Sequence, residues 1–150
     1  MVESLITAQW TTDENGYLRG VRYHDGALEA LSYDGNRLAI DIVHVGGVGR
    51  TRLEFAGKVQ FGAIGFVSSG IVADVLIWQD LSAAAAWRPE VLSALRVLYG
   101  GMYRDPDLSG VFLRQCRMPG VLAFVDFSYG GPISVFSDSI MISSAEVQSE

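Results

Sequence analysis

The sequence predicts an α+β fold: a curled antiparallel sheet of about seven to nine strands with one main helix over 89–99. Two observations predict it. Between residues 21 and 78, short apolar runs alternate with glycine turns, from Tyr23-His24-Asp25-Gly26 to Ile77-Trp78. A helical apolar stripe occurs at Pro89–Tyr99, where Val91, Leu92, Leu95, Leu98 and Tyr99 share one face. No linker, internal repeat or low-complexity segment divides the chain, so residues 1–150 are expected to form one domain with a frayed tail at 144–150.

Each element follows from local pattern. Ile6–Trp10 suits an edge strand, and Thr11–Gly16 a polar turn. Ala27–Tyr33 is strand-like, and Asp34-Gly35 then gives a hairpin signal, because Asp-Gly accepts positive φ. Leu38, Ile40 and Ile42 alternate with Ala39, Asp41 and Val43, the period of a half-buried strand. After the turn Gly46-Gly47-Val48-Gly49, Arg50, Arg52 and Glu54 alternate with Thr51, Leu53 and Phe55, giving a wet face and a dry one. Ala56-Gly57-Lys58 is a further break. Val59–Val67 and Ile71–Trp78 carry apolar residues on both faces and are expected to be central strands. Pro89 and Glu90 suit the first turn of the helix, and Gly100-Gly101 its end. Val111–Cys116, Val121–Tyr129 and Ile133–Ile142 supply the closing strands. Neighbours in sequence tend to be neighbours in the sheet, so a meander is the economical topology.

Composition narrows the function. With 49% apolar and 19% charged residues, the chain is no disordered polymer, and it either buries most of itself or offers an apolar face to a partner. Eleven Lys and Arg oppose seventeen Asp and Glu, a net charge of −6. That balance lacks the basic footprint nucleic acid requires and attracts basic proteins instead. The single cysteine, Cys116, cannot form an internal disulfide, which suits a reducing compartment. Met1–Ile6 lacks a basic region followed by a long apolar stretch, and the apolar runs fall short of a membrane span; a cytoplasmic protein is expected.

Candidate chemistry is sparse. Gly46–Thr51 resembles part of a phosphate-binding loop, but His44 stands where a glycine is needed, Arg50 replaces the lysine, and a strand follows instead of a helix. A hairpin turn explains it. His24-Asp25 invites a metal reading, yet two histidines are thin supply for a metal site. The plainer expectation is that Asp25 bonds backbone amides of its turn. His44 shares a face with Leu38, Ile40 and Ile42, as a core or rim histidine would. Asp74 and Asp126 interrupt apolar strands, and as a pair they would be the acid–base alternative. Cys116 lies near Arg114 and Arg117, but a plain buried thiol is expected. No catalytic residue, metal ligand or cofactor is therefore assigned. Trp78, Tyr99 and Tyr129 fall at element ends. Trp87-Arg88 and Tyr103-Arg104, with Asp105 and Asp107, combine the residue types that anchor protein interfaces and are the candidate partner-binding residues.

Tyr23–Leu31, Leu53–Gly57 and Gly70–Val75 resemble segments of a loose group of small bacterial proteins, in which an aromatic-His-Asp-small-x-Leu segment opens a strand. The likeness covers about residues 20–78. Some members resemble immunity proteins of polymorphic-toxin systems. The resemblance implies a protein-binding inhibitor that occludes a cognate toxin, with no active site to carry over, and it makes His24 and Asp25 structural. Charge adds that the toxin would be basic. The alternatives are a small-molecule module with a pocket inside the curl, an enzyme using Asp74, Asp126 or His44, and a self-associating structural subunit.

Overall fold

The structure, a computed structural model, describes residues 4–65, 70–79, 89–99 and 119–145. It holds eleven strands among these residues: β1 (Ile6–Thr7), β2 (Thr11–Thr12), β3 (Leu18–Arg19), β4 (Ala27–Tyr33), β5 (Arg37–Val43), β6 (Arg50–Ala56), β7 (Gln60–Ala63), β8 (Ile71–Trp78), β9 (Val121–Tyr129), β10 (Ile133–Ser137) and β11 (Ser139–Ala145). The one described helix, α1, spans Pro89–Leu98. Nine strands form an antiparallel sheet in the order β1-β11-β6-β5-β4-β8-β9-β10-β7, and β2 pairs with β3.

Chain connectivity forces this sheet to curl. β6 is third in the order and β7 ninth. On a flat sheet six strand spacings span about 29 Å. The chain from Ala56 to Gln60 reaches at most about 15 Å. The step from β10 to β11 makes the same demand, because Asp138 alone separates them. Each pair is one strand bent round a corner. Gly57 (φ 73°) and Lys58 (φ 45°) make the first bend. Asp138 makes the second, and its amide donates to the Gly57 carbonyl at 2.9 Å. β6 pairs with β11 on one side of the corner and β7 with β10 on the other.

The expected meander therefore survives as two runs, β6-β5-β4 and β8-β9-β10, joined at β4 and β8 through the single pair Ala27↔Ile71. The expected central strand over 59–67 is instead the four-residue edge strand β7, which pairs only with β10 among the described residues. The Gly57–Lys58 bend delays its start, and Gly65, at φ 61°, follows its end. The expected strand over 133–142 is broken at Asp138. Its second part runs on to Ala145, paired with Arg50, so residues 144 and 145 belong to the sheet and not to a tail. The expected strand Val111–Cys116, with Arg114 and Arg117, lies outside the described residues.

The curl wraps one core. Leu38, Ile40 and Ile42 from β5 meet Leu53 and Phe55 from β6, Val75 and Ile77 from β8, and Val125 and Val135 from β9 and β10, all 1% exposed or less. The alternation read in β5 and β6 predicts this inner face correctly. A second layer lies outside β8, β9 and β10, where α1 covers Leu76, Trp78, Leu122, Phe124 and Phe136 with Val91, Ala94, Leu95, Val97 and Leu98. This explains why β8 is apolar on both faces. The buried Ser134 hydroxyl donates to the Ala94 carbonyl at 2.6 Å and ties sheet to helix.

The hairpin between β4 and β5 turns where Asp34-Gly35 predicts. The Asp34 carboxylate accepts from the amides of Asn36 (3.0 Å) and Arg37 (2.8 Å), and these bonds hold its pKa below the usual value. No described helix is long and apolar enough to cross a membrane.

Candidate functional site

The segment from Tyr17 to Gly26 crosses one end of the curl. Leu18 and Tyr23 sink into the core, and the Tyr23 hydroxyl donates to the Leu18 carbonyl at 3.1 Å. Burial, opposed by a hydrogen bond from the Val75 backbone, raises the Tyr23 pKa, so the phenol stays protonated. Tyr17 bridges to Leu76 of β8. Between this segment and the strand ends lies an open hollow of about 700 Å³, whose lining includes Arg19, Arg22, Tyr23, His24, His44 and Asp74. The two histidines, twenty residues apart, share it. The sequence offers no signal for that meeting, because it depends on how 17–26 crosses the ends of β5 and β8. Arg19-Gly20-Val21-Arg22, two cations flanking a turn glycine, is the local signal that was missed.

His44 is buried, as its place beside Leu38, Ile40 and Ile42 predicts. Its Nε2 lies 2.8 Å from Thr51 Oγ1 across the β5–β6 turn, and the Thr51 hydroxyl donates to the Arg22 carbonyl at 2.6 Å. A threonine has one hydroxyl proton, so His44 Nε2 must carry hydrogen and donate. The relay ties the crossing segment to the sheet. Thr51→Val keeps the shape and removes both bonds. It is expected to cost about 2 kcal/mol, because the buried His44 ring nitrogen loses its acceptor and the Arg22 carbonyl its donor. Urea denaturation checks this; a loss below about 0.5 kcal/mol would show that the relay carries no weight.

His24 and Asp25 form the expected turn, but not through the expected bonds from the Asp25 carboxylate to backbone amides. Both side chains are exposed and lie 4.0 Å apart. The turn is held by main chain instead: Asp25 N–H donates to Val72 O, and Gly26 N–H to Tyr23 O. Asp25 sits at φ 60°, a left-handed conformation that aspartate tolerates better than most residues. The glycine-rich segment at 46–49 is a turn between strands, with a short 3-10 turn over Val45–Gly47 and β6 directly after. Val45 and Val48 project from it, half exposed.

Asp74 and Asp126 are cross-strand partners on β8 and β9. Asp74 lines the hollow beside His44, whereas Asp126 lines a groove along α1 with Glu90 and Arg96. Asp126 Oδ1 accepts from the Phe127 amide at 3.0 Å. Tyr17 stands close to this acidic ground. Desolvation first, then Asp74 and Glu90, raise its pKa, which keeps it a neutral hydrogen-bond donor. No group of three or more His, Cys, Asp or Glu among the described residues is arranged to hold a metal ion.

The wet face of β4, β5 and β6 carries cross-strand ion pairs. Arg52 grips Asp41 through Nε (2.7 Å) and Nη2 (3.2 Å), and this bond above all raises the Arg52 pKa. Arg50 lies 3.6 Å from Glu29, and both Arg37 and Arg52 lie 4.0 Å from Glu54. Cations and carboxylates alternate here, so the face is stiffened without acquiring a strong sign. Off this face, Desolvation raises Asp13, but the amides of Asn15 and Tyr17 and the Arg19 guanidinium outweigh it, and its pKa is lowered.

The aromatics separate by position. Trp78 is buried beneath α1, Tyr99 packs beside it, and Tyr129 is exposed. Trp87, Arg88, Tyr103, Arg104, Asp105, Asp107 and Cys116 lie outside the described residues. Comparison with known proteins finds no matching family, no similar curated protein and no similar solved structure.

Proposed function

We propose that this chain is an immunity-type inhibitor, a protein that binds a cognate bacterial toxin and occludes it. The observation that carries the reading is the filled curl. Leu38, Ile40, Ile42, Leu53, Phe55, Val72 and Val75 occupy the inner face with no exposure, so function falls to the outside. An ion-paired face that costs little to order on binding suits that role. The net charge of −6 favours a basic partner by speeding encounter. Trp87, Arg88, Tyr103, Arg104, Asp105 and Asp107 are the proposed contact residues, in an interface of about 1,600 Å² in total. The mechanism is steric: the inhibitor covers the toxin's active surface and takes no part in chemistry.

The test is binding to purified toxin domains encoded beside the gene, at low and high salt. Tight binding whose association rate falls as salt rises supports the proposal. Absence of binding to every such domain counts against it. A small-molecule module is favoured by one feature, the hollow beside His44, although that hollow lies at the end of the curl and not within it.

A further inference from the structure

We infer that the hollow beneath the 17–26 crossing is a binding site for a small organic anion, one bearing a carboxylate or phosphate together with a hydroxyl or amine. This is independent of any toxin partner. Three observations lead to it. The hollow gathers basic side chains in an acidic molecule: its lining holds Arg19, Arg22, His24 and His44 with one carboxylate, Asp74. Asp13 pairs with Arg19 and Asp25 lies 4.0 Å from His24, while Arg22 keeps its charge uncompensated among the described residues. Its volume of about 700 Å³ falls within the range that small ligands occupy. Its donors are also uneven in their commitments. Arg19 spends Nη2 on Asp13 at 3.1 Å. The Arg22 guanidinium has no hydrogen-bond or ion-pair partner among the described residues, although its own carbonyl is pinned by Thr51.

The geometry assigns roles. The Thr51 bond fixes the Arg22 backbone at the rim, so the planar fork of the side chain is presented from an anchored base and suits two oxygens of one anionic group. His24, exposed beside it, adds a ring donor. His44 and Tyr23 are nearly fully buried and form rigid wall. Asp74 is the lone acceptor of charge, and it selects a ligand that carries a hydroxyl or ammonium as well as its anion. A bare inorganic anion leaves that carboxylate facing like charge.

The test is a nuclear magnetic resonance titration of the isotope-labelled full chain at constant ionic strength. The probes are citrate, glycerol 3-phosphate and, as the uncharged control, glycerol. Saturable shifts of the amides of residues 18–24, His44 and Asp74 with at least one anion are expected, and the better anion distinguishes carboxylate from phosphate. Arg22→Gln is expected to weaken binding about tenfold. Lys58→Gln, at the sheet corner, leaves it unchanged. Arg22→Lys retains charge without the fork and should fall between. The inference is overturned by an absence of saturable shifts with either anion, by equal shifts with glycerol, or by undiminished affinity in Arg22→Gln.

Discussion

Phe55→Ala is expected to remove about 3–5 kcal/mol of folding free energy, the usual cost of emptying a fully buried aromatic site. Phe55 is unexposed and lies near the end of β6, just before the corner. Its register partners are Leu38 on β5 and Ile140 on β11, and the Gly57–Lys58 bend begins two residues later. The backbone there is held by the corner and cannot collapse into the void. Domains of this size are stable by only about 5–15 kcal/mol, so a sizeable part of the total would be lost. Guanidinium denaturation followed by circular dichroism measures it. A loss below about 1.5 kcal/mol would mean that the interior of the curl is loosely filled.

Gly62→Val should cost about 2–3 kcal/mol through overpacking, and its damage should fall on the helix. Gly62 lies on β7 opposite Ser134, where the C-terminal turn of α1 rests on the strand. A Cβ at this position would collide with the Val97 carbonyl and sit 3.1 Å from that of Leu98. Both neighbours are backbone, which cannot swing aside like a side chain. The helix must lift, and the layer over Trp78, Leu122 and Phe136 opens with it. Faster amide exchange across Pro89–Leu98, with the β5–β6 amides unchanged, is the expected signature. Uniform acceleration through the sheet would instead show that helix and curl unfold as one unit.

The fold was legible where one face alone decides burial. β6 alternates strictly and β5 departs from alternation only at Asp41, buried in its pair with Arg52, so their inner residues were identifiable one by one. α1 announced itself through its stripe and through Pro89. The corner was harder. Nothing at Ala56-Gly57-Lys58 or at Asp138 says that the strand continues round a bend with a new partner; a glycine break there reads as a hairpin. The exchange of partners is set by distant pairing, Asp138 with Gly57, which local pattern does not encode. β7 was overestimated for a related reason. Its residues are exposed or half-buried at the edge of the sheet, with Phe61 packed against the core, so an apolar run alone did not mark a central position.

The hollow was less legible still. His44 was correctly placed on the core face, and Asp74 correctly noted as an interruption of β8. Their shared surroundings were not visible, because the 17–26 crossing is held by single long-range bonds such as Thr51 to Arg22 and Tyr17 to Leu76. Asp74 and Asp126 illustrate the converse. Their possible approach was read from the sequence, and they prove to be directly opposed on β8 and β9, although the register shift between Val72 and Asp74 that sets this pairing was not legible.

The measurement that bears most directly on the central claim is protection in living cells. Any toxin domain found encoded beside this gene would be expressed from one promoter and this chain from another. The account predicts that growth returns when the chain is induced, and that Phe55→Ala, by lowering the folded population, weakens the rescue. Full toxicity in the presence of abundant, folded wild-type protein would contradict it.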